Sequence, residues 1–304
     1  MLDAVTATTR VARDVRETAW AYVRLTKPRI VALLVITTIP AMVLAEGGMP
    51  SVWLILATVL GGSVVAGGAN AMNMYFDRDI DELMVRTRGR PVPAGQVEPE
   101  KAAVFGIVMA AGGFVFMEFT VNLLAALLTL GAFAFYVVVY TLWLKRTTPL
   151  NIVIGGAAGA MPPVIGWAAV TGGVSMAAVL LFAIVTLWTP PHFWALALNY
   201  SSDYKLARVP MLPVVAGPAE TKRQIMLHSV ALVAVTLLLP IWADTGPFYL
   251  AVAALLGGVF LYYAARLWLS PSREGRATSA LFRYSIAYLA LLFGAIFVSG
   301  LAGI

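Results

Sequence analysis

The sequence has no cysteine and only two histidines, His192 and His228. Without a thiol there is no disulfide framework, no thiolate nucleophile and no Cys-ligated metal site. Charge is scarce as well: 12% of the residues are charged, about half the ~25% of a soluble domain. Acids are scarcer than bases, 15 against 21, a net +6 that in a soluble chain would suggest a nucleic-acid partner. With 61% hydrophobic residues and a mean hydropathy of +0.86, the chain is instead an all-α polytopic membrane protein, and no nucleic acid is expected.

Apolar runs near residues 30–45, 52–73, 102–117, 123–144, 150–170, 175–198, 225–243, 247–265 and 281–303 predict nine transmembrane helices. All 21 lysines and arginines fall in the N-terminal arm or in the connections on its side, while the opposite connections carry only Glu46, Glu118 and Asp244. The positive-inside rule then makes the N-terminus cytoplasmic and the C-terminus external, in a cell membrane. A one-span error would spoil this segregation, so it supports the count. Cleavage after the small residues Ala41–Ala45, the signal-peptide reading, would leave eight spans and break it. Residues 1–29 form a basic arm in which Val11, Val15, Ala19 and Val23 recur every fourth residue, with Arg10, Arg13, Arg16 and Arg24 elsewhere. That pattern predicts a short helix on the anionic bilayer surface. Residues 30–304 read as one membrane domain.

If the second span continues as helix, Asn73, Asp77 and Asp81 share one face over ~12 Å. Carboxylates at a membrane helix end are usually functional. This ladder suits a diphosphate bridged by Mg²⁺, which takes one or two carboxylates plus substrate phosphates. Asp79 lies off the ladder and is expected at the surface. After the sixth span, Asn199 and Asp203 repeat the N-x-x-x-D spacing at an offset of 126 residues, and both motifs precede an Arg- and Pro-containing loop. This reads as a weak internal repeat, a duplicated four-helix unit, with both motifs emerging on one face. Lys27, Arg90, Lys145 and Lys205 are the candidate diphosphate contacts. Gly155–Ala160 offers close helix approach, and Met161-Pro162-Pro163 predicts a break in span five. Pro190-Pro191 predicts another in span six, which would set His192 on a pocket wall beside Trp188 and Phe193, the candidates for lining a flat apolar substrate. His228 reads as a structural histidine, and Tyr140, Tyr200 and Tyr204 as an interfacial belt. A transporter built on broken helices is the alternative, but it would place ionisable groups near the midplane rather than at one face.

The block Asn73-Met74-Tyr75-Phe76-Asp77-Arg78-Asp79-Ile80-Asp81, together with a second Asp motif after span six, resembles the UbiA superfamily of membrane prenyltransferases. Lys145-Arg146-x-Thr148-Pro149-x-Asn151, Trp188-Thr189-Pro190-Pro191-His192-Phe193-Trp194 and Val209-Pro210-Met211-Leu212-Pro213 are similar to its heme-modifying branch. The resemblance implies nine helices around a central cavity and transfer of a farnesyl group from farnesyl diphosphate to the 2-vinyl of heme b, with water added, giving heme o. It implies Mg²⁺ held by Asn73, Asp77, Asp81, Asn199 and Asp203, and heme oriented by His192 through its iron or a propionate. A heme a synthase or a terminal oxidase would be the partner. The chain departs from the family pattern at Ser202, where a second acid is common, and at Arg208, where Gly is usual. Other acceptors in the superfamily, a quinone precursor, a chlorophyllide or a phenolic acid, share the acidic motifs.

Overall fold

A computed structural model describes residues 15–270 and 275–302. Arg10, Val11, Arg13 and Arg273 lie outside the described residues. Among those described there is no strand, and nine helices are long and apolar enough to cross a membrane. The chain runs α1 (15–25), α2 (Pro28–Glu46), α3 (Val52–Phe76), α4 (Arg78–Leu83), α5 (Pro99–Thr120) and α6 (Leu123–Ala134). Span four then continues through a π-helix (Phe135–Leu144) into α7 (Lys145–Thr147). α8 (Asn151–Gly159) and α9 (Met161–Thr171) make span five, followed by α10 (Met176–Asn199), α11 (Ser201–Leu206) and α12 (Leu212–Val215). α13 (Gly217–Leu238), α14 (Gly246–Leu269) and α15 (Gly275–Ala302) complete the set.

The boundaries follow from local chemistry. Ser51, Asn122 and Ser175 accept from the backbone N–H three residues on, at 3.2, 2.8 and 3.4 Å, and so cap α3, α6 and α10. Gly47 and Gly172 end α2 and α9 with φ of 66° and 68°, a conformation glycine adopts without steric cost. Several spans extend beyond the purely apolar runs. α5 starts at Pro99, α13 at Gly217 and α15 at Gly275, because Glu100, Lys101, Glu220, Lys222 and Arg276 continue the helices into the polar boundary.

Packing closes the spans into a ring: α3 lies on α5, α5 on α6, α8 on α10, α10 on α13, α13 on α14, α14 on α15, and α15 returns to α2. Small residues set the closest crossings. A Cβ on Gly68 would sit 2.5 Å from the Gly106 carbonyl oxygen, and one on Gly106 would sit 2.8 Å from that of Gly68. The seam between α2 and α15 is also close, with a Gly300 Cβ 3.0 Å from the Leu44 backbone.

Three expectations change. Span five does break, at Ala160, but α10 runs unbroken through Pro190 and Pro191. The missing N–H groups free the carbonyls of Thr186 and Leu187, and packing on α8, α13, α15 and α9 keeps the helix straight enough to continue. His192 therefore does not stand at a helix end. The acidic ladder is not one helix: α3 stops at Phe76, and Asp77 (φ −90°, ψ 5°) joins it to α4. The i to i−4 bonds nevertheless bridge the joint, Asp77 N to Asn73 O at 2.9 Å and Asp81 N to Asp77 O at 2.7 Å, so the three side chains remain neighbours. In α1 the face turned to the protein is Ala21 and Leu25, buried against Ala71, Met74, Val92, Val97 and Ala102. Val15, Ala19 and Val23 face outward.

Candidate functional site

Where α3, α4 and the end of span four meet, charges are buried in alternating sign. Asp77 is fully buried and its Oδ2 accepts from both Lys145 Nζ and, at 2.7 Å, Asn73 Nδ2. Lys145 is also buried. Asp81 is 2% exposed and pairs with Arg90 Nη1 at 2.6 Å. The Pro- and Gly-rich loop after α4 folds back to deliver that arginine, tied down by Thr87 Oγ1 to the Asp81 carbonyl at 3.0 Å. Lys27, at the start of α2 with φ 51°, donates from Nζ to Asn73 Oδ1 at 2.8 Å. Asn70 holds the same turn by donating to the Thr26 carbonyl at 3.0 Å. Burial, reinforced by the Arg90 charge, holds the Lys27 amine well below its ordinary range, and Asp81 and Asp77 pull the other way.

Asp79 is 61% exposed, as its place off the ladder predicts, and forms a two-pronged pair with Arg146 at 2.7 and 2.8 Å. The Arg146 bond holds its carboxyl below the usual range. An exposed pair of this kind is worth at most about 1 kcal/mol.

The second motif arrives at the same end but is built differently. Ile80 and Met84 of the α4 region pack with Tyr204, Ala207, Val209 and Met211, and half-buried Tyr140, Phe193 and Tyr200 close over them. Asp203 has a buried Oδ2 that meets no hydrogen-bond donor among the described residues, and the same holds for Asp77 Oδ1, which has Arg146 Nη2 3.9 Å away. Asn199 does not pair with Asp203. It turns to α15, accepting from Thr278 Oγ1 at 2.5 Å and donating to Ser279 Oγ at 3.3 Å. The cause is the joint at Tyr200, which ends α10 at Asn199. Lys205 is exposed on α11 and makes no ion pair among the described residues.

The aromatic candidates on α10 divide between two faces. Trp188 and His192 turn toward α15: Trp188 Nε1 donates to the Ser285 carbonyl at 2.7 Å, and His192 Nδ1 lies 2.7 Å from Ser285 Oγ. The His192 ring is stacked between Trp188 (centroids 4.3 Å) and Phe282 (4.7 Å). Phe193 faces the acidic end, 6.5 Å from the Tyr204 ring. Burial raises the Tyr204 phenol, with Arg86 opposing it. His228 sits against Trp194 with Nδ1 2.9 Å from the Gln224 carbonyl, a structural histidine.

Sequence reasoning missed Asn70, Tyr136 and Thr141. Tyr136 lies within electrostatic reach of Asp77, Arg90 and Asp81, and stacks on Tyr140 at 5.4 Å. Gly155 makes room for Tyr140, since a Cβ there would strike the ring. Tyr136, Tyr140 and Thr141 stand on the π-helix, a winding common at functional sites but without a sequence signature.

Carboxylate and amide oxygens form a hard donor set of the kind Mg²⁺ takes, and the two unpartnered buried oxygens of Asp77 and Asp203 fit a cation. Among the described residues no three Asp, Glu or His side chains come together as a ready-made cage; a metal bound partly by substrate phosphates needs none.

Nine apolar helices among the described residues, ringed around buried carboxylates and cations at one end, define an integral membrane protein with a charged site at one end of its bundle. Residues 34–286 match the UbiA prenyltransferase family, and the chain belongs to it. It is 50% identical over 279 residues to a protoheme IX farnesyltransferase of Roseiflexus castenholzii, covering 91% of this chain and 51% of that one. The chain thus spans about half the length of the Roseiflexus relatives. It is 52% identical over 286 residues to protoheme IX farnesyltransferase 1 of Saccharopolyspora erythraea, covering 93% and 91%. Among solved structures, a digeranylgeranylglyceryl phosphate synthase superposes with a TM-score of 0.76 at 21% identity over 94% of this chain and 99% of that one. A UbiA homolog from Archaeoglobus fulgidus bound to GPP and Mg²⁺ superposes with a TM-score of 0.62 at 18% identity over 91% and 99%. These two likenesses are of fold.

Proposed function

We propose that the chain transfers a farnesyl group from farnesyl diphosphate to the 2-vinyl of heme b, with water added, to give heme o. The observation that carries the diphosphate half is the pair of buried acids, Asp77 and Asp81, each already matched to a cation on another element, Lys145 and Arg90. Relatives about 50% identical that bear the name protoheme IX farnesyltransferase support the heme half.

On binding, the pairs exchange partners. Asp77, Asp81 and Asp203 would hold Mg²⁺, while Lys145, Arg90 and Lys27 would take the diphosphate oxygens and exposed Lys205 would meet the head group at the rim. Mg²⁺, when bound, neutralises the leaving diphosphate so that the allylic C–O bond can ionise. Tyr136, Tyr140 and Phe193 offer aromatic faces to the allylic cation, and burial keeps water from quenching it early. The vinyl group attacks, and water adds at the ring-proximal carbon. The Ser285 bond to Nδ1 leaves His192 Nε2 as the atom for heme iron or a propionate. The basic arm and the acidic end face the cytoplasm.

Mass analysis of extracted hemes tests this. Membranes containing the chain, given farnesyl diphosphate and heme b, should yield the farnesyl adduct with its added water. Asp77→Asn should lower the yield by at least about a hundredfold, since it removes the group facing the leaving charge. Prenylation of a phenolic acid but not of heme b would sink the heme reading and leave the superfamily chemistry. For His192, the Ala variant should lose the Soret shift on heme b addition while still binding farnesyl diphosphate; an unchanged shift refutes the assignment.

A further inference from the structure

Ser285 stands where the last span meets α10, and two rings of α10 use it differently. Trp188 Nε1 donates to its main-chain carbonyl at 2.7 Å, while His192 Nδ1 lies 2.7 Å from its hydroxyl oxygen. A ring nitrogen of histidine can donate or accept, and so can a hydroxyl. The contact that decides is on the other side: Ser285 Oγ also lies 2.7 Å from the Phe282 carbonyl, one turn back on α15. A carbonyl only accepts, so the single hydroxyl proton goes there. His192 therefore meets a lone pair of Oγ, and the proton between them sits on Nδ1. In a neutral imidazole this makes Nε2 the unprotonated nitrogen. Turning the ring over would face a C–H to Oγ. Its two faces are covered by Trp188 and Phe282, stacked within 17° and 24° of its plane. Nε2 meets no hydrogen-bond partner among the described residues, and the ring is only partly buried.

We infer that Ser285 is a positioning residue that fixes His192 as the Nδ1–H tautomer, and that His192 therefore meets heme at its iron, through the Nε2 lone pair, rather than at a propionate. The inference rests on heme being the proposed acceptor. A propionate oxygen only accepts and would meet Nε2 lone pair to lone pair. Iron is the opposite case. Imidazole ligates as a neutral base, and an acceptor on its other N–H sets the tautomer and strengthens that base. Ser285 Oγ is such an acceptor, itself anchored by Phe282. The stack adds direction. An axial bond along the Nε2 lone pair lies in the imidazole plane, so the two rings that hold the plane also set the line along which the porphyrin approaches. None of these contacts involves the Lys, Arg and Asp pairs of the acidic end, so an exchange of partners there leaves them intact.

The test titrates the full chain in detergent, as its folded, monodisperse fraction, with heme b, heme b dimethyl ester and iron-free protoporphyrin IX. The ester keeps the iron and masks both propionates; protoporphyrin IX keeps the propionates and lacks the iron. Tryptophan quenching reads affinity, and resonance Raman of the ferrous complexes reads the iron–imidazole stretch. The parent should show that stretch with heme b and with the ester, and its absence with heme b bound overturns the inference. His192→Ala should abolish it, weakening heme b and the ester about tenfold or more while leaving protoporphyrin IX unchanged. A loss shared by heme b and protoporphyrin IX that spares the ester is the propionate result, and it too overturns the inference. Ser285→Ala keeps the carbonyl that holds Trp188 and removes only the hydroxyl. It should weaken heme b about tenfold and lower the stretching frequency, because Nδ1 has lost its acceptor. A packing role would not move that frequency. Ser285→Thr, with a hydroxyl on the same carbon, should restore both. A parental frequency in Ser285→Ala refutes the positioning role. Should that variant not fold, the three porphyrins in the parent and in His192→Ala decide. If the parent binds none of the three, it is the heme reading that has failed, not the choice between iron and propionate.

Discussion

Replacing Lys145 by Met is expected to destabilise the folded chain by about 3–5 kcal/mol, the cost of stranding a buried charge. Asp77 is fully buried, and after the change its carboxylate keeps only the Asn73 amide and the distant Arg146, 3.9 Å away. Exposed ion pairs give no such effect, but here both side chains are nearly nine-tenths buried or more. The double variant Asp77→Asn/Lys145→Met removes the charge along with its partner, so it should regain most of the lost stability. It should still make far less product than the parent, because one proposed metal carboxylate and one proposed diphosphate contact are both gone. Thermal unfolding in detergent reads the first effect and heme extraction the second. If the double variant unfolds as early as the single one, the loss comes from packing, and the electrostatic account of this pair is wrong.

The second large effect is expected at Gly68. Valine there would drive its Cβ to 2.5 Å from the Gly106 carbonyl oxygen and 3.1 Å from the Ala110 nitrogen. Both are helix backbone, which cannot swing aside as a side chain can. α3 would have to shift off α5 and take Asn70, Asn73 and Asp77 with it. We expect a loss above about 4 kcal/mol, in the range reserved for overpacked cores, seen as little folded protein after extraction. Gly112→Ala, on the same α5 but with nothing within 4 Å of the new Cβ, is the control and should behave as the parent. Folded Gly68→Val in normal yield would show that the crossing opens more readily than its geometry implies.

What was legible in the sequence was what depends on composition and short spacing. Nine spans and the gathering of basic residues on one side follow from length, hydropathy and the placement of Lys and Arg. Asn73 and Asp77 follow from a four-residue interval that survives the joint at Asp77. The same interval misled at Asn199, because Tyr200 ends the helix and the amide finds Thr278, 79 positions away. No local pattern encodes that contact. Pro190-Pro191 reads as a break because proline removes backbone bonds, yet neighbouring helices hold α10 together regardless. Asn70 and Thr141 lie in runs that look like ordinary span, and Thr141 meets Asn73 only across 68 positions of sequence, a contact no local pattern encodes. In α1 the fourfold repeat of valine and alanine was real, but the protein packs the adjoining stripe of Ala21 and Leu25.

The seam where Gly300 fits against Leu44 has a bearing on how the molecule is made. A ribosome releases the N-terminal portion first, and by α7 it has already delivered both halves of the Lys27–Asn73, Asp81–Arg90 and Asp77–Lys145 contacts. Those three contacts can therefore be complete before spans five to nine emerge. The α2 face of that seam stays uncovered until α15, about 230 residues later in the chain, packs onto it and joins the two ends of the ring.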